Sequence, residues 1–185
     1  GGAADPITGY VYVGSVTDPR VIGLRPPPPG TTNADYNMGG SLPLPRIEGL
    51  PLLKPPYGRI TAFDMNTGDM VWQIPNGDTP EAIANNPALA GVDFPETGVQ
   101  SRAGLLVTPS LLFAGEGTGG RPIFRAYDKE TGEEIWRTEI PVGPQQSLPM
   151  TYMYEGRQYI AFFSGNGGEQ IPATLIVYAL PEDED

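Results

Sequence analysis

Apolar positions in this chain fall into short runs that alternate with polar residues or stand four to six long, each closed by Gly, Pro, Asn or Asp. Period-two alternation bounded by turn formers predicts β-strands rather than helices. Strands are expected at Tyr10–Val16, Arg59–Phe63, Gly104–Thr108, Leu111–Gly115, Ile123–Tyr127, Leu148–Tyr154, Gln158–Ser164 and Thr174–Leu180, with a weak one over Gly1–Ala4. The longest unbroken apolar run is Leu175–Leu180, far short of the ~20 residues that span a bilayer, so no membrane span is expected. The only helical signal is Thr79-Pro80-Glu81-Ala82-Ile83-Ala84, which reads as a capping Thr followed by Pro at the first helical position.

The strands are organised by a repeat. Ala62-Phe63-Asp64-Met65-Asn66-Thr67-Gly68-Asp69-Met70-Val71-Trp72 returns as Ala126-Tyr127-Asp128-Lys129-Glu130-Thr131-Gly132-Glu133-Glu134-Ile135-Trp136. Both segments read Ala, aromatic, Asp, two variable residues, Thr-Gly, three residues, Trp. Such a unit predicts a hairpin: a strand enters an Asp-x-x-Thr-Gly turn and returns as a second strand ending in Trp. Gly68 and Gly132 supply the positive φ the turn demands, and the Asp carboxylate accepts backbone N–H groups inside it. The Trp ring is expected to pack on a neighbouring sheet and to need one partner for its indole N–H. Adding the return strands yields groups of four, four and three antiparallel strands. Four-stranded groups repeated in this way are blades of a β-propeller, so the chain reads as all-β with about two and three-quarter blades.

Composition narrows the chemistry. The 185 residues hold 22 acidic and 11 basic side chains, a net charge of -11, with no Cys and no His. Thiol nucleophiles, zinc fingers, iron–sulfur sites and His-dependent triads are therefore excluded within this chain. The acidic balance argues against nucleic acid, whose binding needs a basic stripe that displaces counterions. Gly and Pro make up about a quarter of the residues, within reach of low-complexity disorder, but the aromatic content of the strand-like runs favours a folded chain.

The organisation expected is a first blade over 1–75 carrying a Pro-rich insertion (25–57), an inter-blade loop over 76–100, a second blade over 101–140, three strands of a last blade over 141–180 and an acidic tail over 181–185. In a propeller, loops joining second to third strands share a face with the blade-to-blade links. Both long insertions, with Gly115–Gly120 and Ser164–Gly168, should therefore crowd one face. Four segments have plain readings. Gly115, Gly117 and Gly120 satisfy G-x-G-x-x-G but precede a strand, so they form a loop, not a dinucleotide site. Asp64–Asp69 is a hairpin turn, not a calcium loop. Pro26–Pro29 reads as a stiff extended spacer and Glu182–Asp185 as a solvated terminus.

The Ala-x-Asp-x-x-x-Gly-x-x-x-Trp repeat resembles the docking motif of eight-bladed quinoproteins, the dehydrogenases that use pyrroloquinoline quinone (PQQ). Gly1–Pro6, Lys54–Ala62, Val71–Asp78, Phe124–Asp128 and Pro149–Met153 resemble, in order, the C-terminal part of membrane-type glucose dehydrogenases and their soluble relatives. The resemblance implies a part of a larger propeller whose remaining blades are the partners of this chain and whose last blade borrows its outermost strand from the N-terminal segment. It implies PQQ and Ca²⁺ as cofactors, a small alcohol or aldose as substrate, and an exported, periplasmic or extracellular location. The family's catalytic Asp, its calcium ligands and most quinone-binding residues then precede Gly1, leaving no catalytic or metal residue to assign here. Where family members carry Trp-Gly-Gly or Leu-Gly-Gly beside the cofactor, this chain has Arg102-Ala103-Gly104, and Gly1-Gly2 match a second such Gly pair. Gly1, Gly2, Arg102, Ala103 and Gly104 are the cofactor-proximal residues that the resemblance implies. A non-enzymatic propeller acting as an envelope scaffold or protein-binding module is the alternative.

Overall fold

The computed structural model describes residues 1–102, 104–165 and 172–180. Ala103, the end of the Ser164–Gly168 loop and the acidic tail lie outside the described residues.

Sheet I contains β1 (Gly2–Asp5) and β2 (Tyr10–Val16), and is completed by two strands beyond an insertion. Within the insertion, β3 (Arg20–Arg25) pairs with β4 (Asn37–Pro43), and β5 (Arg46–Ile47) pairs with β6 (Leu50–Pro51). β7 (Gly58–Asp64) and β8 (Met70–Pro75) then finish the four-stranded order β1-β2-β7-β8. Sheet II is formed by β9 (Leu105–Val107), β10 (Leu111–Gly115), β11 (Ile123–Asp128) and β12 (Glu134–Glu139). Sheet III holds β13 (Met150–Tyr154), β14 (Arg157–Ser164) and β15 (Thr174–Ala179). Every pairing is antiparallel, and the four, four, three grouping is that of the repeat.

Two expectations are corrected. The Pro run does not link two separate elements: it lies in the connection of a hairpin, because Arg20–Arg25 folds back to pair antiparallel with the Gly-rich strand Asn37–Pro43. Thr79 does not cap the short helix α1 (Glu81–Ala84), whose N-cap is Pro80. Thr79 stands one residue before that cap, and its hydroxyl instead donates to Glu96 and accepts from the Thr97 N–H.

The repeat has a common stereochemistry. Asp64 Oδ1 accepts the Asn66 N–H at 2.8 Å, and Asp128 Oδ1 accepts the Glu130 and Thr131 N–H groups at 2.8 and 2.9 Å. Those turn N–H groups hold the Asp128 carboxyl below its usual range. Gly68 and Gly132 adopt φ of 83° and 77°. In both hairpins the register slips at the same step, after Ala62 and after Ala126, and each Ala stands directly opposite the repeat Trp.

Adjacent sheets pack face to face. Tyr12, Ile60 and Ala62 of sheet I meet Leu105, Leu112, Ala114 and Tyr127 of sheet II, with Trp72 and Ile74 closing the seam. Phe124, Ile140 and Phe162 fill the second seam with Phe113, Ile160, Ile176 and Tyr178. Sheet II is covered on both sides, so β11 is buried through Phe124, Arg125, Ala126 and Tyr127 without alternation. Trp72 crosses the first seam: its indole N–H donates to the Lys129 carbonyl at 3.1 Å, and its ring lies so close to Gly132 that a Cβ there would stand 3.0 Å from it. Close by, Lys129 Nζ meets Asp5 Oδ2 at 2.6 Å with both side chains about 6% exposed. Trp136 has no such dock among the described residues. It is 42% exposed and rests edge-on against Tyr178 at the mouth of an open groove of about 940 Å³. The far face of sheet III is bare, with Met150, Tyr152, Phe163, Leu175 and Val177 all exposed.

The hydrogen bond from Lys129, aided by the Ile7 N–H, holds the Asp5 carboxyl down at about 2 from an ordinary 3.8. A depressed carboxyl adds stability above its unfolded value and loses it as pH falls through the folded one. In the full-length protein the thermal midpoint should therefore drop between pH 4 and pH 2, and Asp5→Asn should flatten that limb while lowering the midpoint at pH 7. Residues 1–185 expressed alone should self-associate through the bare face and edge of sheet III; sedimentation velocity checks this, and a monodisperse monomer is the contrary result.

Candidate functional site

The loops at one end of the sheets are tied to one another. The Tyr57 N–H donates to the Thr97 carbonyl at 2.7 Å, Asn76 N–H to Gly58 at 2.9 Å and Val99 N–H to Asn76 at 2.9 Å. Gln100 Nε2 reaches the Thr17 carbonyl at 2.6 Å, and Asn86 Nδ2 the Glu48 carbonyl at 2.9 Å. Insertion and inter-blade link thus crowd one face, as the topology requires, and the innermost strands β1 and β9 start there side by side.

The sequence-predicted residues occupy those strand starts. Gly1 and Gly2 are exposed; the Gly1 carbonyl accepts the Gly14 N–H, and Gly2 pairs with Val13. Arg102 is exposed, and its backbone N–H donates to the Thr118 carbonyl at 3.0 Å. Among the described residues its guanidinium has no ion-pair partner. Ala103 lies outside the described residues. Gly104 is buried, and the space a Cβ would take there is filled by the protein itself: it would lie 2.7 Å from Gln145 Nε2 and 3.0 Å from the Ser147 carbonyl. The glycine at this position therefore admits Gln145.

Sequence reasoning passed over Gln145, which carries no motif. Its carboxamide is 1% exposed, accepts the Gly115 N–H at 2.7 Å and donates to the Gly104 and Ser147 carbonyls at 3.2 and 2.7 Å. It joins the inner strands of sheet II to the link that leads into sheet III.

A second unforeseen feature is a charge network across the first seam. Asp78, in the link leaving β8, is gripped by three guanidiniums, Arg121 of the loop before β11 at 2.6 Å and Arg125 and Arg137 of sheet II at 3.2 and 3.1 Å. Glu116, wholly buried, pairs with Arg121 and Arg125, each at 2.9 Å. Glu134 pairs with Arg125 at 3.1 Å and with Arg137. Burial opposes ionisation of Asp78, yet its three guanidinium neighbours outweigh that and hold its carboxyl below the usual range. Glu116 raises Arg121 further, with help from Asp78. Among the described residues no three Asp or Glu side chains gather as a cation site.

Two docked four-stranded sheets, a third sheet and inner strands opening under a common loop face define part of a β-propeller. Comparison with known proteins gives the family. Residues 1–160 match the family model described as PQQ: glucose/ethanol/alcohol dehydrogenase, beta-propeller domain, and the chain belongs to that family. It is 39% identical over 142 residues to the glycerol dehydrogenase large subunit of Gluconobacter thailandicus, covering 72% of this chain and 18% of that protein. It is 32% identical over 138 residues to the quinoprotein glucose dehydrogenase of Escherichia coli, covering 73% and 17%. The quinohemoprotein alcohol dehydrogenase of Comamonas testosteroni superposes with a TM-score of 0.60 at 22% identity over 100% of this chain and 27% of that one, which shows the fold. The chain thus spans less than a fifth of the length of these curated relatives.

Gln145→Ala in the full-length protein leaves a buried N–H and two carbonyls unpaired and a void beside Gly104. A loss of about 2–3 kcal/mol in denaturant unfolding is expected, and a change below ~0.5 kcal/mol would contradict the bridging role.

Proposed function

We propose that this chain is the C-terminal part of an exported, PQQ-dependent dehydrogenase that oxidises an alcohol or an aldose, with the rest of the propeller as its structural partner. The match of residues 1–160 to the dehydrogenase propeller family carries this reading. Relatives named as glycerol, quinate and glucose dehydrogenases support the substrate class. The bare face of sheet III and the undocked Trp136 suit a neighbouring blade and a fourth strand drawn from elsewhere in the propeller.

When bound, PQQ supplies the hydride acceptor. Its carboxylates are anionic, and Arg102 meets the chemical requirement for holding one: an exposed guanidinium, uncommitted among the described residues, at the start of an inner strand. Gly1 and Gly2 stand exposed at the start of the neighbouring inner strand. Gly104 acts indirectly, by seating Gln145. The base that takes the hydroxyl proton and any calcium ligands belong, in this reading, to the remainder of the propeller.

Full-length protein loaded with PQQ and Ca²⁺ should reduce an artificial dye in the presence of alcohols, polyols or aldoses. Arg102→Ala should raise the PQQ concentration for half-maximal reconstitution roughly tenfold, as loss of one charge-assisted hydrogen bond requires. Protein that takes up no PQQ and reduces no dye with any of these substrates would favour the scaffold reading.

A further inference from the structure

The geometry points to Glu116 and Arg125 as positioning residues that fix loop 116–121 and, through it, the backbone at Arg102. The inference rests on the reading of Arg102 as cofactor-facing.

The loop is built around the Glu116 carboxylate. Oε2 accepts the Arg121 N–H at 2.7 Å, and the turn above it closes through the Gly120 N–H on the Gly117 carbonyl at 2.9 Å. A Cβ on Gly120 would stand 2.4 Å from Glu116 Cβ, and one on Gly77 would stand 3.0 Å from its Cδ, so the side chain sits between two glycines. The outer side of the same turn holds the candidate site. The Thr118 carbonyl takes the Arg102 N–H at 3.0 Å, and Thr118 Oγ1 bonds Gln146 Oε1 at 3.1 Å. One six-residue loop therefore grips a buried carboxylate on its inner side and the start of the inner strand on its outer side.

Stability alone does not account for this design. Glu116 and Arg125 are 0% and 1% exposed. A buried ion pair seldom outperforms well-packed apolar residues of equal volume. Arg125 Nη1 is also buried with no hydrogen-bond partner among the described residues, a cost to stability. What a guanidinium–carboxylate pair supplies that an apolar pair does not is direction: planar forks fix the angle as well as the distance of approach. Here Arg121 grips Glu116 as a fork through Nε and Nη2, and Arg125 Nη2 ties the same carboxylate at 2.9 Å to Asp78 at 3.2 Å, in the link from the preceding sheet, while Nε of Arg125 is held by Glu134. The height of the Thr118 crest, and with it Arg102, is thereby referred to both sheets.

The test uses full-length protein with PQQ and Ca²⁺ and compares Glu116→Gln, Glu134→Gln and Arg102→Ala, measuring PQQ affinity by reconstitution titration and the thermal midpoint of the apoprotein. Glu134 shares Arg125 but touches no atom of the loop, so its variant reports the purely structural role. Glu116→Gln and Arg102→Ala should each weaken PQQ binding roughly tenfold, whereas Glu134→Gln should lower the midpoint with affinity within about twofold of the parent. If Arg102→Ala weakens binding and Glu116→Gln does not, the positioning role is overturned and the reading of Arg102 stands. If Arg102→Ala changes nothing, both fall. Should Glu116→Gln not fold, Arg121→Lys replaces it: the half-exposed Arg121 loses its fork on Glu116 and Asp78 but keeps its charge. A threefold loss of affinity supports the role, and an unchanged affinity overturns it.

Discussion

The structure depends on one requirement: a twisted sheet that is apolar on both faces must find a neighbour on each side at fixed distance and angle. Trp72 meets that requirement for the first seam. It stands opposite Ala62, its ring lies against Gly132, and its N–H finds the Lys129 carbonyl. Ring area alone would let the sheets slide. The hydrogen bond and the glycine contact set the register. The two repeats supply one half of the device each at this seam, the first its Trp and the second its Asp-x-x-Thr-Gly turn.

Polar chemistry enters this apolar stack at its two ends. At the turn end, Lys129 and Asp5 form a nearly buried pair that closes the inner edge of the first seam. At the loop end, three guanidiniums and three carboxylates join the two sheets, and Gln145 satisfies three backbone groups at the way into the third. Such interactions are directional and lose strength quickly when misaligned, so they orient loops where dispersion contacts only hold sheets together. The candidate site lies on the directional end.

Much of the fold was legible because its signals are local. Strand runs, the Gly68 and Gly132 turns and the repeated Ala and Trp are decided within about a dozen residues, where turn stereochemistry and period-two burial act directly. The β3–β4 hairpin escaped because Gly and Pro hide its alternation, and Thr79 misled because its hydroxyl oxygen accepts the N–H of Thr97, distant in sequence, while the helix starts one residue later at an N-cap of Pro80. At the site, Arg102 and Gly104 were legible only through the family pattern. Gly104 acquires a different physical reason once Gln145 is seen to fill its Cβ space.

The amino-acid sequence by itself determined the hairpin unit, its repetition and the antiparallel grouping, since these follow from backbone preferences and side-chain size close along the chain. Only the tertiary structure decided which charges meet. Asp5 finds Lys129 and Asp78 finds Arg121, Arg125 and Arg137 after separations of 43 to 124 residues, and no local preference encodes a partner that far away. Those pairings exist because the docked sheets and their links leave particular charged side chains facing one another.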